Sequence, residues 1–513
     1  MTADWERAAR IAAERIERLP HAPALDGRSL IERVGPLWWL IEDEVFEARG
    51  GVADRALTGG ADGDSRNVES SRPLARLHEL VLRGLAARTA PPKREAGEGP
   101  RVVLVSPHGT MWTGGGDRHG AGLRAALARR GARVTEVSLA TPVRGGGALA
   151  DVGADLAAIR RGEYRPWSAG LPLAELASAW LAERRHAALA AGPAWEAALG
   201  SAEAAGWLAR RLPRLLARAG ARLAAARHLL AALRPDAVVS VEAHGPVGRA
   251  LALAARGTRT RVIGLQGGLI SPTRLINRGY HGATGAPSPD LTLLWGPHWV
   301  DVCARLGLDR ESLAVGGFAR DVPAAAAQPE EGTLLYAAGA NDAVCRHVFD
   351  AAEERVVLAA LREGLPARAR LVVRLHPGHP ARSYESELSG DPRVERVPAG
   401  ARDVGADLGR ACLVVAKAST LLVEAVLCGR PVVLASVRGG PDLSGLAEPL
   451  GAPLARSPEE LAARVREGLG SPEVRARWLE RQRAGLARVA SPAGVSAVEA
   501  VAARVLEFAA RGR

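Results

Sequence analysis

Several polar residues gathered at one strand end are the first sign of chemistry in this chain. In CLVVAKASTLLVEAVLCGRPVVLA, residues 412–435, a valine-rich run stops at Lys417, Ser419 and Thr420, and an apolar helical pattern carrying Glu424 begins. A strand-to-helix turn leaves backbone N–H groups pointing outward, and the helix dipole favours an anion there. The two hydroxyls add donors. Lys417 adds a compact point charge in a chain with just one other lysine, Lys93. Glu424, one turn along, is spaced to accept hydrogen bonds from ribose hydroxyls. The alternative is simple N-capping by Ser419 or Thr420 beside a solvated glutamate. A second run, LVVRL, ends at His376 and Pro377. The proline fixes the backbone, the imidazole can donate to a phosphate oxygen, and Arg374 is a second anion partner. An ordinary turn with a surface histidine is the competing reading. The two loops read as ends of successive strands meeting around one anionic group.

The first half offers three more loops. In PHGTMWTGGGDRHGAGL, Gly114, Gly115 and Gly116 allow close backbone approach to a ligand, and Asp117 and His119 stand at the following helix start as a base or as acceptor contacts. No Gly-Lys-Ser/Thr follows, so this is not a Walker loop. In VVSVEAHGPVGRAL, the strand ends at Glu242, with His244 close behind. A carboxylate at a strand end facing a cleft can deprotonate an acceptor hydroxyl, and Glu242 is the first choice of base, with His119 second. A structural glutamate capping its own helix is the alternative. In RVIGLQGGL, Gln266 can orient an acceptor hydroxyl through its amide, and Gly267 and Gly268 follow it.

Alternating elements must carry these loops. Residues 1–100 read as a helical extension and linker. Residues 101–290 read as a first Rossmann-like lobe on the acceptor side, with a long helical insertion near 150–235. Residues 291–490 form a second lobe on the nucleotide side, and 491–513 a C-terminal helix. Short valine- and leucine-rich runs alternating with amphipathic stretches predict parallel sheets covered on both faces, with ligands at the carboxyl ends of the strands. The fold class expected is therefore α/β, two doubly wound Rossmann-like lobes with an N-terminal helical extension. SPEELAARVREGL predicts a helix capped by Ser457, with Glu460 closing a capping box.

The composition narrows the function. With 513 residues, 47% of them hydrophobic, the chain can bury two or three cores. The formal charge of +12 comes almost wholly from arginines spread among acids. That pattern suits solvated faces, and also an anionic membrane surface or a phosphorylated acceptor. No zinc module, basic arm or aromatic RNA-binding motif points to nucleic acid. The four cysteines, Cys303, Cys345, Cys412 and Cys428, lack metal-ligand spacing and read as free thiols of a cytoplasmic protein. No metal and no cofactor are expected. No apolar run reaches the roughly 20 residues of a membrane span, and the N-terminal stretch lacks the pattern of a secretory signal. Trp38 and Trp39 read as buried against the first lobe, because Glu42, Asp43 and Glu44 beside them would repel anionic lipid.

Strand–RLHP, followed by strand, Ser-Thr, helix, Glu and GRPVV, resembles the donor lobe of GT-B glycosyltransferases. Within that group it is closest to bacterial sialyltransferases, capsule Kdo transferases and CDP-glycerol glycerophosphotransferases. The resemblance implies that His376, Ser419 and Thr420 hold the donor phosphate and that Glu424 meets the ribose. It implies a metal-independent, inverting transfer from a nucleotide sugar to a glycan or lipid-linked acceptor in surface polysaccharide synthesis. The related pattern Gln-His-Gly is Gln266-Gly267-Gly268 here, and the missing histidine argues against glycerol-phosphate transfer. A non-hydrolysing nucleotide-sugar 2-epimerase shares the two lobes, and a non-catalytic nucleotide-binding subunit of a glycan assembly complex is the reading from outside the enzymes.

Overall fold

The computed structural model describes residues 98–106, 122–138, 165–166, 181, 222–241, 243–270, 287–320, 328–339, 351–376, 384–398, 401–439 and 442–511. The N-terminal extension, most of the 150–235 insertion, and Asp117, His119, Gly114, Gly115, Gly116, Glu242 and Pro377 lie outside them.

Seven strands form the first sheet: β1 (Arg101–Ser106), β2 (Arg133–Ser138), β3 (Arg165–Pro166), β4 (Ala237–Ser240), β5 (Arg261–Leu265), β6 (Leu291–Leu294) and β7 (Leu313–Val315). All pairings are parallel, in the order β3-β2-β1-β4-β5-β6-β7. Six strands form the second: β8 (Thr333–Ala337), β9 (Arg370–Arg374), β10 (Val394–Val397), β11 (Leu413–Ala416), β12 (Val432–Ala435) and β13 (Leu454–Ala455). They too are parallel, in the order β10-β9-β8-β11-β12-β13. β4, β11 and β12 are short, valine-rich and buried along their whole length, as strands covered by helices on both faces must be.

In each sheet the first strand is central. The chain winds outward on one side, then returns to lay its fourth strand on the other. That reversal opens a crevice at the carboxyl ends of the two central strands, and doubly wound folds bind ligands there. The crevices fall beside β1 and β4 in the first lobe and beside β8 and β11 in the second.

The lobe boundary expected at 290/291 is corrected. β6 pairs in register with β5, Ile263 opposite Leu291 and Leu265 opposite Leu293, and β7 pairs with β6. LTLL and LAV therefore belong to the first sheet, and the crossing follows them. At the crossing, Phe318 forms a parallel bridge with Ala493. The Phe318 N–H donates to the Pro492 carbonyl at 2.7 Å, and the Gly494 N–H donates to the Phe318 carbonyl at 3.1 Å. Gly317 must be glycine there, with φ of +91° and room for a Cβ only 2.5 Å from the Pro492 oxygen. The returning helix Val495–Ala510 is part of the first lobe's core, where Val498, Val501 and Val505 pack with Leu104, Leu123 and Ile263.

The Ser457 cap forms as expected: its hydroxyl accepts from the Glu460 N–H at 3.2 Å, while the Glu460 carboxylate reaches one residue further back than a capping box requires, to the Arg456 N–H at 2.7 Å. Cys303, Cys412 and Cys428 are buried and not in disulfides. Among the described residues no helix is long and apolar enough to cross a membrane.

Candidate functional site

The second-lobe crevice is built on β11. Its Leu-Val-Val-Ala run ends at Ala416, and the chain turns through Lys417, Ala418, Ser419 and Thr420 into the seven-residue helix Leu421–Leu427. Ser419 Oγ accepts from the Leu421 N–H at 3.2 Å. Thr420 Oγ1 accepts from Arg320 Nη1 at 2.9 Å. A hydroxyl whose oxygen already accepts still has its own proton to give. Ser419 and Thr420 are both half-buried, so this turn offers two O–H donors at the sheet's switch point. Such a pair suits the oxygens of a phosphate.

The ionisable side chains around the turn are arranged differently from the expectation. Lys417 is corrected: its side chain is fully buried, its ammonium is bound to the Glu353 carboxylate, and it lies 3.5 Å from Glu354 Oε1. Tyr336 of β8 donates its hydroxyl hydrogen to Glu354 Oε2 at 2.5 Å. Burial pushes the Glu354 carboxyl above the usual glutamate range, with Lys417 opposing the shift. Lys417 therefore ties the turn to the helix Ala351–Gly364, and its charge is spent beneath the crevice. Arg374 is corrected in the same sense. Its Nη1 binds the fully buried Asp407 carboxylate at 2.5 Å and its Nη2 donates to the Arg402 carbonyl at 3.0 Å. It anchors the end of β9. Glu424 is buried rather than solvated, and its Oε1 accepts from Arg320 Nη1 at 3.1 Å.

His376 follows β9 and is exposed. β9 and β11 are not neighbours, as the sequence reading assumed; β8 lies between them. Two strand spacings separate their ends by about 10 Å on the same edge of the sheet. A diphosphate bridging β8 can span that gap, whereas a single oxygen cannot touch both.

In the first lobe, Gln266 is buried and its amide is committed. Its Oε1 accepts from the Trp295 N–H at 2.9 Å and its Nε2 donates to the Gly268 carbonyl at 2.9 Å. It shapes the 266–268 turn, which corrects the acceptor-orienting role. A Cβ at Gly267 would come within 2.4 Å of Val241 Cγ1, so Val241 fills the space a larger residue at 267 would need. His244 is buried, 2.9 Å from the Thr292 hydroxyl through Nε2. Arg249 donates to the His244 carbonyl at 3.1 Å, and burial pushes its guanidinium down to about 10. His244 thus supports the switch-point loop from within.

No family model matches the sequence, and no curated protein matches it. Among solved structures, an Anabaena protein, Alr3699/HepE in complex with UDP, is 13% identical over 79% of this chain and 99% of that one, with a TM-score of 0.48. A UDP-GlcNAc 2-epimerase from Neisseria meningitidis bound to UDP-GlcNAc is 11% identical over 80% of this chain and 100% of that one, with a TM-score of 0.45. CalG4, the calicheamicin glycosyltransferase, is 18% identical over 81% of this chain and 99% of that one, with a TM-score of 0.42. These are likenesses of outline; the strand orders, 3-2-1-4-5-6-7 in the first sheet and 3-2-1-4-5-6 in the second, and the returning helix define the architecture. The chain has the GT-B fold.

In the GT-B frame, the residue that sequence reasoning missed is Arg320. It stands just past the Gly316-Gly317 turn at the crossing, and its Nη2 donates to the Gly267 carbonyl of the first lobe at 2.8 Å. Its guanidinium carbon lies 5.4 Å from the Trp295 ring centre and 5.7 Å from that of Phe318. A small pocket on the first-lobe side of the crossing is lined by Val241, Gln266, Trp295, Gly317 and Arg320. The signal available in GGFARD was an arginine directly after a glycine turn between lobes, in a chain where arginine is common.

Proposed function

We propose that this GT-B protein transfers a sugar from a nucleotide-activated donor to a hydroxyl of a glycan or lipid-linked acceptor, without a metal and with inversion. The observation that carries the reading is the pair of hydroxyls at the second-lobe switch point, Ser419 and Thr420, each with its oxygen already accepting and its proton left to give. The donor's phosphates lie across the ends of β8, β9 and β11, with Ser419 and Thr420 at one end and His376 at the other. As the bond from the sugar's anomeric carbon to the phosphate oxygen breaks, these donors stabilise charge growing on the leaving phosphate. The acceptor oxygen bonds to the anomeric carbon from the opposite face, and its proton goes to a base on the first-lobe side. Glu242 is the first candidate for that base and His119 or Asp117 the next. Glu424, paired with Arg320, is the residue that meets the ribose in this reading.

The test is incubation of the full chain with CMP-, CDP-, UDP- and GDP-sugars, with and without glycan acceptors. Transfer that needs an acceptor supports the reading. Isomerised sugar nucleotide formed without an acceptor would make the protein a 2-epimerase, and nucleotide binding with no turnover would make it a binding subunit.

A further inference from the structure

We propose that Arg320 is the positioning residue of the nucleotide crevice, orienting Thr420 and Glu424 toward the ligand while tying them to the first-lobe turn at Gly267. The inference rests on the reading of Ser419 and Thr420 as phosphate donors and adds to it a residue that links the two lobes.

Arg320 is 6% exposed and its partner Glu424 is 4% exposed, so the pair is shielded from water. One nitrogen, Nη1, serves both Thr420 Oγ1 at 2.9 Å and Glu424 Oε1 at 3.1 Å. The other, Nη2, holds the Gly267 carbonyl at 2.8 Å. These partners lie 100, 104 and 53 residues away in the chain, on opposite sides of the crossing. The guanidinium plane is set by Trp295 and Phe318, whose own rings meet edge-to-face with centres 4.8 Å apart. A planar fork held in this way cannot serve one partner without constraining the other two.

Two chemical consequences follow. By donating to Thr420, Arg320 occupies one lone pair of that hydroxyl and leaves its proton directed away from the guanidinium. By pairing with Glu424, it matches that carboxylate's charge, so no uncompensated anion stands beside the phosphates. A ligand that pulls on Thr420 and Glu424 is thereby felt at Gly267 through one side chain.

Calorimetric titration of the full chain with CMP, CDP, UDP and GDP identifies the tightest nucleotide, which then serves as the probe. Arg320→Gln weakens its binding by about 10- to 100-fold, the loss of charged hydrogen bonds to two ligand-facing groups. Arg320→Lys, which keeps the charge but not the fork, lies between the two. Once Thr420→Val and Glu424→Gln are both present, adding Arg320→Gln changes affinity by less than about twofold, because the residue acts through them. In the wild type the probe slows hydrogen exchange at residues 266–270; in Arg320→Lys the slowing is reduced. Should Arg320→Gln not fold, the lysine variant and its exchange pattern decide. If the wild type binds none of the four nucleotides, the phosphate reading falls and this inference with it. If the wild type binds while the Arg320 variants bind equally well, or their losses add to those of Thr420 and Glu424, only the role of Arg320 is overturned.

Discussion

Replacing Lys417 by methionine separates a structural lysine from a catalytic one. The methionine fills most of the lysine stem's space but carries no charge. Its ammonium sits in no solvent at all, bound to Glu353 and 3.5 Å from Glu354, whose side chain is 1% exposed. Removing one partner of such a buried set leaves carboxylate charge uncompensated, which costs about 3–5 kcal/mol. The relief available is protonation. Burial already raises the Glu354 carboxyl, and without Lys417 it rises further, so the loss at neutral pH falls near the lower end of that range. The assay is urea denaturation followed by far-UV circular dichroism, alongside calorimetric nucleotide titration below the transition. The expected result is a lower denaturation midpoint, with nucleotide affinity within about threefold of wild type, a difference under 1 kcal/mol. An unchanged midpoint with affinity reduced tenfold or more would refute the reasoning and return Lys417 to the phosphate.

Other outcomes follow from the same geometry. Glu354→Gln alters the pH dependence of stability: an acid whose folded pKa is raised holds its proton longer in the native state, so stability is lost as pH rises from the unfolded value of about 4.3 toward the folded one. The glutamine variant loses that slope, and melting curves across the window check it. Ser419→Ala and Thr420→Val each weaken nucleotide binding by about 5- to 30-fold, the loss of one hydrogen bond to a charged oxygen, while Thr420→Ser stays near wild type; calorimetry reads all three. Gly267→Ala forces its Cβ against Val241 Cγ1 and destabilises the protein by about 1–3 kcal/mol, and Val241→Ala in the same chain restores much of the loss in denaturation experiments.

The parts of the molecule legible in the sequence are those set by neighbours along the chain. Strands such as LVVA and VVLA declare themselves because burial on both faces demands continuous β-branched runs, and the Ser457 cap is a four-residue matter. The Ser419-Thr420 turn was visible for the same reason, as a polar break between a strand and a helix. The lobe boundary was misplaced because LTLL and LAV carry no mark of the sheet they join; pairing with β5 assigns them. Lys417 was misread because a sequence displays a charge but not its counter-ion, and Glu353 lies 64 residues away. Arg320 was overlooked for the converse reason, since Thr420, Glu424 and the Gly267 carbonyl meet it only when the lobes come together. Gln266 looked free to meet a ligand, yet both ends of its amide are taken by backbone groups of Trp295 and Gly268.

The most direct test of the nucleotide site is a crystal structure of the full chain grown with the tightest-binding nucleoside phosphate. The expected result is phosphate oxygens about 3 Å from the hydroxyls of Ser419 and Thr420, with His376 on the same phosphate chain across the end of β8. Nucleotide seated beside β1 and β4 of the first lobe, or held in the second lobe with its phosphates away from those hydroxyls, would contradict it.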